Sequence, residues 1–276
     1  MGGRLFAPRP THIFYMSFRI VSYNIFKGGK NGFEQLAQSV CDLEADCIGL
    51  LEANGWGEEN EKLLKSFSEI TKYPFYYHAK ANTNYDIVCL NKIKPKISTH
   101  ITNGFWHAVL INVVETVEIG KVAIIFLHLN PKTEVERIKE IAELLVILKQ
   151  YPSAIILGDF NSLSVHDPYN KTELLMALQT SHITKFGSDY LCFDTIKAIE
   201  SAGYIDCAVE QKYFITTVPT TSNDDPMHAI PLRIDYAFVS PNLISYVKNI
   251  SIKKGEMFNK ASDHYPLVLD MSLTIL

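Results

Sequence analysis

Short apolar runs of strand length recur along the chain, and polar residues stand at their ends. Phe-Arg-Ile-Val-Ser-Tyr leads into Asn24, and Cys-Ile-Gly-Leu-Leu leads into Glu52. Val-Ala-Ile-Ile-Phe-Leu leads into His128, and Ala-Ile-Ile-Leu-Gly leads into Asp159, with Asn161 two residues on. Asp235 lies inside Arg-Ile-Asp-Tyr-Ala-Phe-Val, and Asp263 and His264 precede Tyr-Pro-Leu-Val-Leu-Asp-Met. Burying an unpaired charge costs several kcal/mol, on the order of what one mutation can remove, so such groups pair with one another or hold a metal. If these strand ends converge, they form an oxygen-rich site suited to a hard cation, Mg²⁺ or Mn²⁺. Zinc would call for more Cys or His.

Periodicity fills in the rest. Strands are expected at 18–25, 47–51, 75–79, 86–91, 97–102, 108–116, 121–128, 154–157, 234–239, 244–252 and 267–273. Helices are expected at 33–43, 58–70, 134–148, 171–178 and 193–201, with a Gly-rich turn at 27–32. Consecutive strands in the middle, with helices toward both ends, predict an α+β class of stacked sheets covered by helices. Neither a linker nor an internal repeat interrupts residues 17–276, which are expected to form one domain. Residues 1–16 contain Arg4, Pro8, Arg9 and Pro10 and lack a continuous apolar core, so they read as a flexible extension rather than a secretory signal.

Composition narrows the function. The formal net charge is −4, which gives no overall footprint of a strong nonspecific nucleic-acid binder, although a local basic cleft remains compatible. The five cysteines are scattered without metal-type spacing and are expected to be buried free thiols. No apolar run approaches the ~18 residues of a membrane span, and a cytoplasmic location is the expectation. A His-Glu-x-x-His helix, a phosphate-binding loop of the Walker type and a Gly-x-Ser-x-Gly elbow are all missing from the sequence.

Three segments then carry a specific resemblance: Leu-Gly-Asp-Phe-Asn-Ser at 157–162, Arg-Ile-Asp-Tyr-Ala-Phe-Val-Ser at 233–240 and Ser-Asp-His-Tyr-Pro-Leu at 262–267. In this order, after Ser-Tyr-Asn-Ile and Leu-Leu-Glu, they resemble the endonuclease/exonuclease/phosphatase superfamily over roughly Phe18 to Met271. The resemblance implies a four-layer α/β/β/α sandwich of two stacked, mostly antiparallel sheets. It implies a metal held by Glu52 and Asp263, with Asn24 helping chiefly through hydrogen bonds. It further implies that Asp159 orients or deprotonates the attacking water and that Asn161 and His128 contact the phosphate. His264, oriented by Asp235, would contact the scissile phosphate. Leu51 stands where the family commonly has Gln, and His107 lies near the place where several members put a phosphate-contacting Arg or Tyr.

Plainer roles exist for some of these residues. Asp159 with Asn161 makes an Asx-type turn, and Asp263 with His264 makes a cap or ion pair. Arg137 is expected in an exposed ion pair on its helix, and His166-Asp167-Pro168 in a loop turn outside the catalytic set. The expected function is Mg²⁺- or Mn²⁺-dependent hydrolysis of phosphate esters, first a nuclease-like phosphodiesterase acting on nucleic acid. The alternative is a phosphomonoesterase or lipid- or inositol-headgroup phosphatase, set second because no basic residue accompanies Gly-Asp-Phe-Asn-Ser-Leu-Ser. A non-catalytic binding protein ranks last, because the metal Glu and the Asp-His pair are all present.

Overall fold

The structure, a computed structural model, describes residues 17–221 and 225–276; the expected extension at 1–16 lies outside the described residues. The apolar runs form two six-stranded sheets. In the first, β1 (Phe18–Asn24) and β2 (Cys47–Leu51) run parallel. Antiparallel partners flank them: β4 (Ile87–Asn91) and β3 (Phe75–Ala79) on one side, β12 (Leu267–Met271) and β11 (Val247–Ile252) on the other. In the second sheet, β7 (Gly120–His128) and β8 (Ala154–Asp159) are the parallel pair. Beyond β7 lie β6 (Val109–Thr116) and β5 (Ile97–Ile101), and beyond β8 lie β10 (Asp235–Val239) and the short β9 (Ile205–Asp206).

Period-two alternation sorts the side chains of the second sheet into two cores. Ile124, Phe126, Ile155 and Leu157 point toward the first sheet and join its core. Ile125, Leu127, Ile156 and Phe238 point outward and meet the apolar faces of α4 (Glu134–Leu148) and α6 (Asp194–Ser201). On the far side, Leu36 and Val40 of α2 (Phe33–Asp42), Phe67 of α3 (Lys62–Thr71) and Phe258 of α8 (Glu256–Ala261) cover the first sheet. The order of layers is helix, sheet, sheet, helix, as the resemblance implied. A smaller apolar cluster gathers Leu174 and Leu178 of α5 (Lys171–Thr180) with Phe186, Val218 and Ile234. Two single-turn helices, α1 (Phe26–Gly29) and α7 (Cys207–Glu210), complete the set.

Three expectations need correction. The helix expected at 58–70 begins only at Lys62, because Glu59, Asn60 and Glu61 take left-handed backbone. The stretch at 244–252 is a strand only from Val247, because Pro241 opens a 3₁₀ helix that runs to Tyr246. The cysteines are all free, but Cys41 is exposed and Cys192 half-buried, and only Cys47, Cys89 and Cys207 are buried. Among the described residues no helix is long and apolar enough to cross a membrane.

Register is what positions the site. The parallel pairing sets Asn24 beside Leu51, so Glu52 emerges next to Asn24. In the other sheet His128 lies opposite Asp159, and Asp159 lies opposite Asp235. The antiparallel entry to β12 pairs Leu267 with Ser22, which brings Asp263 and His264 back beside the end of β1. The Ser262 hydroxyl donates to the Asn24 carbonyl at 2.6 Å and ties the two chain segments together. All the strand ends singled out in the sequence therefore meet at one edge of the stacked sheets.

Candidate active site

Asp159 is the hub. Its Oδ1 accepts the Asn161 backbone N–H at 2.8 Å. Its Oδ2 lies 3.4 Å from Asn24 Nδ2, 3.5 Å from His128 Nε2 and 3.7 Å from His264 Nε2. Gly158, at φ +157°, makes room for this strand end: a Cβ there would run into the Leu127 carbonyl of β7. Burial raises the Asp159 carboxyl above its ordinary value, and the charge of neighbouring Asp235 raises it further.

His264 is fully buried, and its Nδ1 faces Asp235 Oδ2 at 2.8 Å. Burial opposes its charge. The Asp235 carboxylate, with Asp263 and Asp159 nearby, outweighs burial and lifts the imidazole to about 10. Its other nitrogen, Nε2, has no hydrogen-bond partner although it is buried. The ring is thus held as an imidazolium with an unused N–H beside Asp159.

Glu52 sits just past β2 with left-handed backbone at φ 61°, a conformation that costs a non-glycine residue about 1–2 kcal/mol. Its Oε1 accepts from Asn24 Nδ2 at 3.1 Å and its Oε2 from the Lys27 backbone N–H at 2.9 Å. Burial raises this carboxyl, and the Asp263 charge adds to the shift. Asn24 turns its amide N–H groups toward Glu52 and Asp159, because its own oxygen is taken by the Phe26 N–H at 3.1 Å. Asn24 therefore orients carboxylates in this arrangement. Asp263 Oδ2 lies 3.1 Å from His228 Nδ1. Glu52 and Asp263, buried carboxylates close enough for the charge of one to raise the other, form an oxygen donor set that a divalent cation fits. Two compact clusters of titratable groups occur here, His228 with Asp263 and His264, and Asp159 with Asp235 and His264, their side-chain polar atoms within 4.8 Å of one another.

Asn161, with left-handed backbone at φ 49°, donates from Nδ2 to the Leu129 carbonyl at 3.1 Å. His128 stacks on His107, with ring centroids 4.4 Å apart. Burial drives both imidazoles toward the neutral form, His107 to about 4. Glu52, His107, His128, Asp159 and Asn161 line one cavity of about 350 Å³, whose outer wall includes Tyr85, Trp106 and Lys132.

A model of the Endonuclease/Exonuclease/phosphatase family matches residues 21–264. The chain belongs to that family. The family hydrolyses phosphate esters with the help of a metal ion, and the chain is a phosphoesterase by membership. Several solved structures share the fold. An AP endonuclease from Archaeoglobus fulgidus has a TM-score of 0.66 at 14% identity, covering 92% of this chain and 99% of that one. A variant of the 3' phosphatase NExo from Neisseria, bound to a product DNA hairpin, has a TM-score of 0.67 at 14% identity, covering 92% and 99%. D. rerio TDP2 complexed with a single-strand DNA product has a TM-score of 0.62 at 16% identity, covering 92% and 98%. At these identities the likeness is one of fold. No curated protein matches the sequence.

Within this family fold, sequence reading passed over two residues at the heart of the cavity. Lys185, in the loop after α5, is buried and donates to Asn161 Oδ1 at 2.9 Å. His228 receives a second contact from Lys185 Nζ at 3.1 Å on its Nε2. Lys185 is a single polar residue in a loop and His228 closes a three-residue 3₁₀ helix, Pro226–His228, with no adjoining apolar run to mark either. Arg137 also departs from expectation. Its ion pair with Glu134, at 3.0 Å, is buried, and its guanidinium also holds the Asn130 carbonyl at 3.0 Å and the Lys185 carbonyl at 2.5 Å. The loop turn expected at His166-Asp167-Pro168 is present, with the Asp167 N–H donating to the Ser164 carbonyl at 3.3 Å, and the Asp167 carboxylate is buried and paired with Arg233 at 2.8 Å, outside the cavity lining.

Proposed function

We propose that the chain, acting as one domain over residues 17–276, hydrolyses phosphodiesters in nucleic acid with Mg²⁺ or Mn²⁺ as its metal. The observation that carries this reading is the convergence of His264 and His128 on Asp159 Oδ2, with Asp159 and His128 lining the cavity and His264 buried behind Asp159. Glu52 and Asp263 are the residues that would hold the cation, with Asn24 orienting Glu52. When bound, the metal supplies a Lewis acid for the phosphoryl oxygen and for the leaving oxygen. Asp159 aims a water molecule at phosphorus and takes up its proton. His264, charged through Asp235, donates its free Nε2–H to the developing negative charge. Asn161 and His128 hold the phosphate. At the cavity mouth Trp106 is 38% exposed with Lys132 Nζ 4.2 Å from its ring centroid. A base can stack on such an indole while its phosphate meets the ammonium.

A second reading, phosphomonoester hydrolysis, gains from Lys185. The lack of a basic residue beside Gly-Asp-Phe-Asn-Ser-Leu-Ser argued against it in the sequence, but Lys185 brings an ammonium to Asn161 from 24 residues away. The deciding test is cleavage of end-labelled single- and double-stranded DNA with Mg²⁺ or Mn²⁺, using wild type and Glu52→Ala together. Metal-dependent cleavage lost in the variant is expected. Cleavage that persists in folded Glu52→Ala removes Glu52 from the metal site. Phosphate release from terminal phosphates without internal cleavage selects the second reading.

A further inference from the structure

We propose that Lys185 is a phosphate-binding cation carried by the chain itself, reaching the ester oxygens alongside the metal. The proposal rests on the phosphoester reading of the cavity and assigns a residue which that reading leaves without a task. An ammonium has three N–H donors and no acceptor. Here one serves Asn161 Oδ1 at 2.9 Å and a second serves His228 Nε2 at 3.1 Å. The third remains for the cavity that Lys185 lines together with Asp159, Asn161 and His128.

The surroundings fix this ammonium more tightly than a simple counter-ion requires. The Lys185 carbonyl is gripped by Arg137, itself anchored to Glu134 and Asn130, so the backbone beneath the side chain is clamped. Because His228 Nε2 accepts from the ammonium, the ring proton must sit on Nδ1, where it points at Asp263 Oδ2. On the other side, the ammonium occupies the Asn161 oxygen and the Leu129 carbonyl occupies one Asn161 amide hydrogen, leaving the second hydrogen free. Lys185 thus orients a donor amide on one flank and a carboxylate partner on the other. Burying an ammonium is costly, and Lys185 is driven down to about 8 by burial, against the pull of Asp159. A phosphate anion arriving in the cavity would compensate that charge.

The test uses inorganic phosphate as the probe, titrated into the full chain in Mg²⁺ by calorimetry, for wild type and Lys185→Met, with melting temperatures measured in parallel. A dissociation constant raised at least about tenfold in a folded variant is expected, since a charge-assisted hydrogen bond is lost. Lys185→Gln, which keeps an N–H for Asn161, is read the same way if the methionine variant does not fold. Unchanged phosphate affinity overturns the proposal and leaves Lys185 as a counter-ion to Asp159 and Asp263. A wild type that binds no phosphate overturns this inference and the phosphoester reading of the cavity together. Phosphate affinity that falls tenfold in a protein that cleaves no diester upholds Lys185 and rejects only the diester assignment.

Discussion

Glu140→Gln tests how the cavity wall is held. Glu140, on α4, is buried and has no place in the chemistry, yet it grips two loops at once. Its Oε1 accepts the Trp106 backbone N–H at 2.6 Å, and its Oε2 accepts the Asn130 N–H at 2.7 Å. Those loops carry Trp106 and His107 on one side and follow His128 on the other. Glutamine keeps one acceptor oxygen and sets an NH₂ against the second N–H, which costs about 1–3 kcal/mol. Working against that loss, burial raises the Glu140 carboxyl from 4.5 to about 7. Between those pH values the folded chain holds a proton that the unfolded chain has released, so wild-type stability falls as pH rises through that window. Going from 4.5 to about 7 is equivalent to roughly 3 kcal/mol at 1.36 kcal/mol per pH unit. Glutamine has no such dependence.

The variant should therefore melt below wild type at pH 5, and the gap should close by pH 8. At about 2–4 °C per kcal/mol, this is a change of several degrees in the difference between the two melting curves. Other buried acids, such as Asp167, titrate in both proteins and cancel in that difference. A gap that stays constant from pH 4 to 8 would show that Glu140 ionises as an exposed carboxylate does, and would refute the burial argument. With the loops loosened, the Michaelis constant for the ester is expected to rise more than turnover falls.

Two further substitutions separate orientation from binding. Asp235→Asn leaves a neutral partner 2.8 Å from His264 Nδ1 and is expected to lower turnover by about a hundredfold with little effect on substrate affinity, read from steady-state kinetics. Trp106→Ala removes the exposed ring under Lys132 and is expected to weaken single-stranded DNA about tenfold in fluorescence-anisotropy binding while sparing a small diester such as bis-p-nitrophenyl phosphate; equal losses on both would take stacking out of the account.

Much of this was legible because strand ends advertise themselves. A carboxylate that closes a run such as Ala-Ile-Ile-Leu-Gly has nowhere apolar to go, and Asp159, Glu52 and His128 were found on that ground. The strand at Cys47–Leu51 and the helix at Glu134–Leu148 follow directly from periodicity. Lys185 and His228 were not legible. They reach the cavity through loops whose paths are set by tertiary contacts, the Arg137 clamp on the Lys185 carbonyl among them. Arg137 itself was misjudged for a related reason. An i,i+3 pair with Glu134 looks the same in sequence whether solvent or the 183–195 segment covers it, and here Glu134 also accepts the Thr195 N–H at 2.7 Å.

The edge that gathers the site carries backbone strain and orphaned polar atoms. Glu52 and Asn161 take left-handed backbone there, Asp159 and Asp235 are buried with carboxylate oxygens within 4.8 Å of each other, and His128 Nδ1 and His264 Nε2 lack hydrogen-bond partners. Strain and buried like charges of this kind persist only when the surrounding apolar strands over-determine the backbone. The implied trade is testable at Asp159. Asp159→Asn keeps an oxygen for the Asn161 N–H and removes the buried charge that faces Asp235. It gives up the attraction to His264 and Lys185, but burial and Asp235 outweigh those two in the native site. The metal-free variant at pH 8 is therefore expected to melt higher than wild type, by about 1–2 kcal/mol of added stability, while turnover falls at least about a hundredfold. If it melts lower in EDTA, the carboxylate is on balance an attractive partner in this cluster, and the strand-end charges are held by their own pairing without need of a cation.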